Sequence, residues 1–480
     1  MNDRKGFGSN FGFLMAAVGS AVGLGNIWGF PNKMGANGGF PFLILYLALA
    51  LCCGVIIMLG ELALGRKTGH GAVGAYQSIS KRFKWLGWLG IAAAALIFSF
   101  YSALGGYCLR YVVVNFGNLI GAEFGTNGVG GADVFQGLLS QPDVSIAFAL
   151  AFMLITMLVV MCGVGGGIER VCSVGMPALF FILIICIIRS CTLPGAADGL
   201  KYMFVPGWAV ANGIIDEAPG FWRVLTAAGG QMFFSLSLGA GVMITYGSYL
   251  DKKQDLGKST MIIVGMDTVV ALMAGLCVIP GRFALDPNGA LGGPELLFIT
   301  MQNVFDKMGP AGPVFGILFY LLVFFAAISS SISMLEVIVA HFCDKAREKG
   351  KGDRRKLYSA IVVVICAALC ALVCADGMGS NHISPAELLG LAGAKLPGWS
   401  TSWLGLFDSV AEGLLMPLGA LLMCLMISWE LKPDALRQEI LLNGENRPWV
   451  YDFFRLCVKY ITPLCMLMIL YGQISDFFIV

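Results

Sequence analysis

The chain is 480 residues long; 58% of them are apolar and only 12% are charged. A soluble domain carries about 25% charged residues, about twice the fraction found here. This low charge and the mean hydropathy of +0.81 indicate an integral membrane protein and exclude an ordinary soluble domain. The net charge of +2 identifies no partner. The chain has three histidines and no zinc-type cysteine or histidine spacing, which argues against a metal centre. Its 15 cysteines are interpreted as small packing residues.

Eleven apolar windows reach the length of about 17–25 residues that a membrane-spanning helix needs. They cover residues 11–36, 40–64, 86–120, 145–162, 169–190, 222–249, 257–281, 311–343, 357–375, 405–429 and 454–478. The sequence therefore predicts an all-α polytopic membrane protein with 11 transmembrane helices and no cleavable signal peptide.

The distribution of Lys and Arg predicts a cytoplasmic N-terminus. In that orientation 23 of the 31 basic residues lie on the cytoplasmic side, seven of them in DKAREKGKGDRRK. An odd number of helices then places the C-terminus outside. The eleven-helix count, the lack of long termini and the absence of glycosylation-laden outer loops favour a prokaryotic inner-membrane protein.

The first predicted helix carries an interruption that a continuous membrane helix does not need. Residues Gly19–Gly39 read GSAVGLGNIWGFPNKMGANGG, with seven glycines, one proline and three asparagines. The bilayer core lacks water to satisfy loose backbone groups, so a broken helix is tolerated there only where it lines a protein cavity. Its exposed N–H groups attract a carboxylate and its exposed C=O groups attract a cation. The stretch therefore predicts a ligand site, to which Asn26 adds a side-chain oxygen.

The sixth predicted helix carries a second interruption. It reads GGQMFFSLSLGAGVMITYGSYL, with Ser235, Ser237, Gly239 and Gly241 at mid-span. Small residues in a single membrane helix usually indicate close helix packing. Interruptions at corresponding positions of two halves are instead typical of transporter binding sites, and the matched pair favours that interpretation.

Two carboxylates lie inside predicted helices. Asp267, in IIVGMDTVVALMAG, is a costly group at membrane depth and needs a partner, which is either a bound cation or a proton. Glu61, in IMLGELALG, lies nearer the cytoplasmic end. We interpret Glu61 as structural, satisfying backbone groups of the broken first helix.

Hydroxyl groups form a further polar feature. Ser329, Ser330, Ser331 and Ser333 lie in FFAAISSSISMLE of the eighth predicted helix. Serines can bond back to their own helix, but four within five residues favour a coordinating or polar-cavity face. Tyr101, in IFSFYSALGGY, either packs or offers its hydroxyl to a substrate carboxylate.

Three of these stretches together resemble the neurotransmitter:sodium symporter family, which has the leucine-transporter fold. AVGSAVGLGNIWGFP is similar to the family's first helix, GGQMFFSLSLGAG to its sixth and FFAAISSSISM to its eighth. The resemblance covers essentially the whole chain. It implies sodium-driven uptake by alternating access and a 5+5 inverted repeat with helices 1 and 6 unwound at mid-membrane. The implied segments are a tail (1–10), a first repeat (11–190), an extracellular loop (191–221), a second repeat (222–430), and a cytoplasmic loop with helix 11 (431–480).

Position by position, the resemblance implies two sodium sites and a substrate pocket. The first sodium would be bound by the Ala21 carbonyl, the side chain of Asn26, Ser235 and Asp267, with the substrate carboxylate completing the site. The second would be bound by carbonyls of Gly19, Val22 and Ala326 and hydroxyls of Ser329 and Ser330. The pocket would be lined by Ala21, Gly23, Leu24, Gly25, Ile97, Tyr101, Phe234, Ser235, Ser237, Ala240 and Met334.

The resemblance also implies a cytoplasmic gate and a flexible fifth helix. Arg4 matches a gating arginine and Asp344 its carboxylate partner, with Ser248 and Tyr249 beside them. Gly167 and Pro177 match a Gly-x9-Pro element, where unwinding is expected to open a path for sodium release.

The chain departs from the family pattern at four positions. Gly29 replaces the arginine of the outer gate, and the acidic partner on the tenth helix falls at Ala411. Loss of both members leaves no unpaired charge, so other contacts must close the outer gate. Asp267 replaces a common asparagine, and Ala271 stands at the chloride-binding serine of animal members. A fixed negative charge would replace bound chloride, so the sequence predicts chloride-independent transport.

The pocket residues favour an α-amino acid as substrate. Gly23 stands where monoamine carriers have an aspartate that pairs with the substrate amine, and it leaves room for a substrate carboxylate instead. Ile97, Phe234 and Met334 form an apolar subsite. Ala240 replaces a bulky aromatic found in some members and enlarges that subsite, which favours a larger hydrophobic or aromatic side chain.

Two other function classes remain open at this point. One is a non-transporting amino-acid receptor or scaffold of the same fold. The other is an intramembrane enzyme, although an aspartyl protease needs two facing carboxylates and only Asp267 lies deep enough. The glycine-rich GVGGGIE at 163–169 lacks the lysine of a P-loop and is interpreted as a helix junction.

Overall fold

The computed structural model describes residues 6–126, 128–286, 293, 295–352, 354–390, 398–441 and 448–478. Helices form most of these ranges, and none of the described residues lies in a β-strand.

Nine helices in the described ranges are long and apolar enough to cross a membrane as single elements. They are Phe40–Thr68, Lys81–Ile120, Pro142–Met161, Val164–Cys191, Leu256–Leu285, Gly309–Glu348, Arg355–Gly379, Trp403–Leu431 and Trp449–Ser475. They correspond to predicted spans two to five and seven to eleven, and we keep that numbering below.

The first and sixth spans are each divided into two helices. The first consists of Asn10–Ala21 and Gly25–Ala36, which are bent by 44° at the break. The sixth consists of Phe221–Leu236 and Val242–Gly247, and it does not meet the length and hydropathy criteria for a span in the described structure. The predicted number of eleven membrane helices is therefore not confirmed by length and composition, which support nine or ten.

Several connections contain short helices instead of open loops. These helices are Ala72–Ile79, Gly131–Leu139, Ala196–Phe204, Trp208–Ala211, Met301–Asp306, Pro385–Leu388 and Asp434–Leu441.

The molecule has an inner and an outer group of spans. The third and eighth spans pack against each other over much of their length, and the eighth also contacts the first. Ile97 and Tyr320 on these inner helices are buried. The fourth, fifth and ninth spans instead expose apolar side chains such as Leu158, Val174 and Val364, as expected of a surface against hydrocarbon.

The two breaks differ in backbone geometry. In the first span the α-helix ends at Ala21, and the chain resumes as a π-helix at Gly25. The predicted interruption started at Gly19, but Gly19 lies within the helix, so that boundary was wrong by almost one turn. In the sixth span three residues of the break have positive φ: Ser237 (53°), Gly239 (78°) and Gly241 (74°). Glycine is suited to two of these positions because it has no Cβ to clash there.

Candidate functional site

The two breaks lie against each other inside the molecule. The Ser237 hydroxyl, in the sixth-span break, donates a hydrogen bond to the Ser20 carbonyl at 3.1 Å. The Gln231 amide donates to the Gly25 carbonyl at 2.6 Å. The breaks therefore share one buried polar region, as the pairing of the two sequence interruptions predicted.

Asp267 is the centre of the first polar cluster and is completely buried. It accepts hydrogen bonds from the Asn26 amide at 2.7 Å and from the Ser235 hydroxyl at 2.9 Å. The Tyr46 hydroxyl donates to the same carboxylate at 3.2 Å. Three residues predicted for the first sodium site thus lie together, and Ala21, the fourth, is the last residue of the first helix.

Tyr46 was missed by the sequence reasoning. It lies in the apolar run FPFLILYLAL of the second span, where its hydroxyl was the only polar side-chain atom. A buried Tyr hydroxyl needs a partner, and that requirement was the available signal.

Asn26 connects this cluster to the first break. Its side-chain oxygen accepts a hydrogen bond from the Gly23 N–H at 3.0 Å, while its NH2 group donates to Asp267. The oxygen expected to bind a cation therefore faces the break, where it replaces a lost helical hydrogen-bond acceptor.

A second cluster joins the eighth span to the end of the first helix. The Ser329 hydroxyl lies 3.0 Å from the Ala326 carbonyl and 3.4 Å from the Val22 carbonyl. The Ser330 hydroxyl lies 3.1 Å from the Ser20 carbonyl and 3.4 Å from that of Gly19. All five residues predicted for the second sodium site are brought together, and their oxygen atoms are the ligand type that hard cations prefer.

Two of the side chains predicted for the substrate pocket, Tyr101 and Phe234, contact the first break. The Tyr101 hydroxyl accepts a hydrogen bond from the Leu24 N–H at 2.7 Å. A Cβ atom at Gly23 would lie 2.2 Å from the Ser330 hydroxyl and 2.4 Å from the Tyr101 hydroxyl. Gly23 is therefore a point of close approach, where an aspartate would displace both hydroxyls.

An aromatic pair adjoins this point. The Phe234 ring meets the Tyr101 ring edge-on, with centroids 6.2 Å apart. A Cβ at Gly25 would lie 3.0 Å from the Phe234 ring. The other predicted lining residues are buried: Ala21, Leu24, Ile97, Ser235, Ser237, Ala240 and Met334.

Glu61 serves a different break from the one expected. Its carboxylate accepts the Gly239 N–H at 2.7 Å, and the backbone N–H groups of Met243 and Ile244 face it. The expectation that Glu61 satisfies the first helix was wrong, because the second span packs against the C-terminal half of the sixth.

The predicted cytoplasmic gate is described in part. Arg4 lies outside the described residues. Asp344 accepts the Gly71 N–H at 3.2 Å and pairs with Arg347 at 3.9 Å. The Ser248 hydroxyl donates to the Thr245 carbonyl at 2.6 Å.

Tyr249 leads to a buried ion pair that the sequence reasoning did not assign. Its hydroxyl donates to Glu336 at 2.6 Å, and Arg355 bonds the same carboxylate oxygen at 3.1 Å. Glu336 is fully buried in the eighth span. The signal was a carboxylate at the end of FFAAISSSISMLE, in an otherwise apolar helix.

A cavity of about 780 Å³ opens on the side of the molecule that carries the N-terminal tail. Gly6, Gly163, Tyr249 and Asp344 are among the residues that line it. Glu169, which also lines it, accepts hydrogen bonds from the Gly8 N–H at 2.7 Å and the Ser9 hydroxyl at 2.9 Å. The tail is thereby tied to the fifth span.

The Gly-x9-Pro element spans the first part of the fifth span: its glycine lies where the span begins, and its proline lies in the interior. Gly167 belongs to the π-helix Val164–Ile168. Pro177 lies inside the α-helix Glu169–Cys191, where it removes one backbone hydrogen bond.

Comparison with known proteins agrees with this architecture. Residues 4–127 and 132–478 match the Sodium:neurotransmitter symporter family. The chain is 36% identical over 479 residues to an uncharacterized sodium-dependent transporter of Bacillus subtilis, across 97% of both chains. It is 25% identical over 408 residues to a sodium- and chloride-dependent GABA transporter of Drosophila melanogaster, which covers 76% of this chain and 42% of that protein.

A solved structure gives the same result for the fold. The crystal structure of MhsT in complex with L-phenylalanine superposes with a TM-score of 0.83 at 33% identity, covering 98% of this chain and 100% of that one.

Two facing broken spans in a polytopic helical protein, with this structural match, define a secondary transporter of the leucine-transporter fold. The chain belongs to the sodium:neurotransmitter symporter family. It is therefore a multi-pass, sodium-coupled membrane transporter and not an enzyme.

Proposed function

We propose that this protein imports an α-amino acid with a large apolar or aromatic side chain, together with sodium and without chloride. The observation that carries the proposal is the first break. Its Leu24 N–H bonds the Tyr101 hydroxyl at the N-terminal end of the helix Gly25–Ala36. That helix end attracts negative charge, and a hydroxyl can share the site with an incoming carboxylate.

The absence of a side chain at Gly23 supports a zwitterionic substrate. A carboxylate fixed at this position would repel a substrate carboxylate and attract an amine. With Gly23, the negative group at the helix end must come from the substrate itself. The substrate amine then lies near carbonyl groups that the interrupted helices leave without intrahelical partners.

Two sodium ions are proposed to accompany the amino acid. The first would be held by Asn26, Ser235, Asp267 and the Ala21 carbonyl, with the substrate carboxylate as a further ligand. This shared ligand would couple sodium binding to substrate binding. The second would be held by the carbonyl and hydroxyl oxygens of Gly19, Val22, Ala326, Ser329 and Ser330.

Asp267 supports chloride independence. Neutral donors from Asn26, Ser235 and Tyr46 surround its carboxylate, so it supplies a fixed negative charge where bound cations need one. Ala271, one turn further along the seventh span, is buried and offers no hydroxyl. A second anion is therefore unnecessary for charge balance.

The side-chain subsite supports a hydrophobic or aromatic substrate. Ile97, Phe234 and Met334 are buried apolar residues, and Ala240 occupies little volume. The MhsT structure contains L-phenylalanine, which makes that amino acid the first probe for this chain.

The orientation and release path are part of the same proposal. The N-terminus lies in the cytoplasm of a prokaryotic cell, and the C-terminus lies outside the inner membrane. The cavity lined by Tyr249 and Asp344 is the proposed inward exit, and Arg4, which lies outside the described residues, is the gating partner that the family motif implies for Asp344. Unwinding of the fifth span between Gly167 and Pro177 lets sodium leave.

The experiment that tests the proposal is uptake of labelled L-phenylalanine into proteoliposomes under an inward sodium gradient. We expect uptake that requires sodium and persists when gluconate replaces chloride. L-leucine and L-tryptophan should compete, whereas glycine and the carboxylate-free amine phenethylamine should compete poorly.

Each arm can contradict a separate part of the proposal. Preferential competition by glycine would refute the large subsite. Competition by phenethylamine would refute the carboxylate role of the first break. Loss of uptake in gluconate would refute chloride independence.

A further inference from the structure

The outer gate lacks the pair expected from the family pattern, and the structure shows what occupies its place. A Cβ at Gly29 would lie 2.9 Å from the side-chain oxygen of Gln231. Gln231 also bonds the Gly25 carbonyl, so it is fixed against the first span. The space over Gly29 is therefore filled by a neutral amide.

An ion pair lies one helical turn further along the first span. The Lys33 ammonium contacts the Glu412 carboxylate of the tenth span. The Lys33 side chain is 25% exposed and that of Glu412 only 7%. The pair is thus largely removed from solvent. It joins two spans through residues that are 379 positions apart in the sequence.

The shape of the tenth span explains why Glu412 takes this position instead of Ala411. The helix widens into the π-helix Ser409–Leu415 at this level. A π-helical bulge adds a residue to a turn and rotates the side chains around it. Glu412 is thereby directed at Lys33, next to the position where the family pattern places its acid.

The location of the pair relates it to the pocket. A Cβ at Gly230 would lie 2.9 Å from the Glu412 carboxylate and 3.5 Å from the Lys33 ammonium. Gly230 lies one turn before Phe234 on the same helix, and Phe234 packs against Tyr101. The ion pair is therefore one turn beyond the aromatic pair, on the side away from the N-terminal tail.

We propose that Lys33 and Glu412 form the ion pair that closes the substrate pocket on its outer face. This inference rests on the proposed function and names two positioning residues for it. Opening requires the tenth span to separate from the outer half of the first, which breaks the pair. Asp408 lies one turn before Glu412 and within hydrogen-bonding reach of its side chain, so it belongs to the same polar cluster as the ion pair.

The first test requires no substrate. The protein in nanodiscs is treated with a water-soluble amine-acylating reagent, and modification of individual lysines is followed by mass spectrometry. Lys307, which is 51% exposed and pairs with Asp286 at 3.3 Å, is the internal reference. We expect Lys33 to react about tenfold more slowly than Lys307, and E412Q to remove most of that protection.

D286N is the matched control, because it removes the carboxylate of a more exposed ion pair, with the Asp286 side chain 16% exposed, and should leave the reactivity of Lys33 unchanged. Equal reactivity of Lys33 and Lys307 in the wild-type protein, or no response of Lys33 to E412Q, would overturn the proposal. This result holds whether or not the protein transports phenylalanine.

The second test measures dissociation of labelled L-phenylalanine from the sodium-loaded protein. K33M and E412Q should each increase the dissociation rate about tenfold, since loss of one partner of a buried ion pair acts mainly on dissociation. The charge-exchanged variant K33E/E412K should recover most of the wild-type rate, and K307M should match wild type.

Unchanged dissociation in both single variants would overturn the gating role. If the wild-type protein binds no phenylalanine, the proposed substrate is wrong, and the lysine reactivity still decides whether the ion pair closes the outer face.

Discussion

The two helix breaks expose the same kind of backbone group but satisfy it differently. In the first break, the Gly23 N–H bonds the Asn26 amide oxygen and the Leu24 N–H bonds the Tyr101 hydroxyl. Both acceptors are neutral. In the sixth-span break, the Gly239 N–H bonds the carboxylate of Glu61. A protein carboxylate therefore accepts directly from a break N–H in the sixth span, whereas Asp267 reaches the first break only through the Asn26 amide.

This difference separates a structural break from a ligand-binding break. Each break ends at the N-terminus of a helix, which favours negative charge. Glu61 already satisfies that preference in the sixth span, so a substrate carboxylate would be repelled there. In the first span the preference is met only by neutral dipoles, which leaves the position open to a carboxylate.

The backbone follows the same division. The sixth-span break is fixed by positive φ at Ser237, Gly239 and Gly241 and by close packing, since a Cβ at Gly239 would lie 2.2 Å from the Met416 carbonyl. At Gly23, by contrast, the nearest atoms to a Cβ are side-chain hydroxyls. One break is held by backbone against backbone, and the other by side chains that can move.

Gly239→Ala should have the largest effect because it combines positive φ with a backbone clash. We expect a loss of more than about 3 kcal/mol in stability, seen as a low yield of monodisperse protein and a lowered Tm. Gly265→Ala is the matched control, because a Cβ there meets nothing within 4 Å and the residue lies in a regular helix. A stable Gly239→Ala protein would remove the distinction between the two breaks.

Gly23→Ala should leave a folded protein that no longer binds its ligands. The added methyl displaces the Ser330 and Tyr101 hydroxyls, so we expect affinity for sodium and amino acid to fall about a hundredfold, or about 3 kcal/mol. Equilibrium binding of labelled phenylalanine, with Tm as the check on folding, measures this. Unchanged affinity would show that Gly23 does not border the site.

Glu61→Ala should destabilise the protein by about 2–3 kcal/mol, because it leaves the Gly239 N–H without its charged acceptor. Glu61→Gln keeps one acceptor oxygen and should cost about 1 kcal/mol. Thermal unfolding of the two variants compares these costs. If either variant instead lost sodium affinity at full stability, Glu61 would belong to the binding site.

Tyr101→Phe should have a small effect, close to that of Glu61→Gln. It removes the acceptor of the Leu24 N–H, a change of about 1–1.5 kcal/mol, or about tenfold in substrate affinity. The Tm should change little, because the ring contact with Phe234 remains. Affinity equal to wild type would place the substrate carboxylate elsewhere in the molecule.

Much of the architecture followed from local sequence alone. Long apolar windows predicted the spans because hydrocarbon excludes unsatisfied backbone, and clusters of glycine and hydroxyl residues predicted where two of them break. The family motifs predicted two groups of neighbouring residues, and each group lies together in the structure. The groups are Asn26, Ser235 and Asp267, and Gly19 with Ser329 and Ser330. The functions proposed for these groups await the experiments described above.

Only the tertiary structure decided which partner each buried polar residue contacts. Glu61 was expected at the first break and bonds the sixth-span break. Tyr46, Glu336 and the Lys33–Glu412 pair were not assigned at all. Hydropathy and motif identify a polar atom at membrane depth, but its partner comes from a span that can be hundreds of residues away. A π-helical bulge, as at Glu412, further changes which side chain faces that partner, so residue spacing along the helix could not predict the pairing.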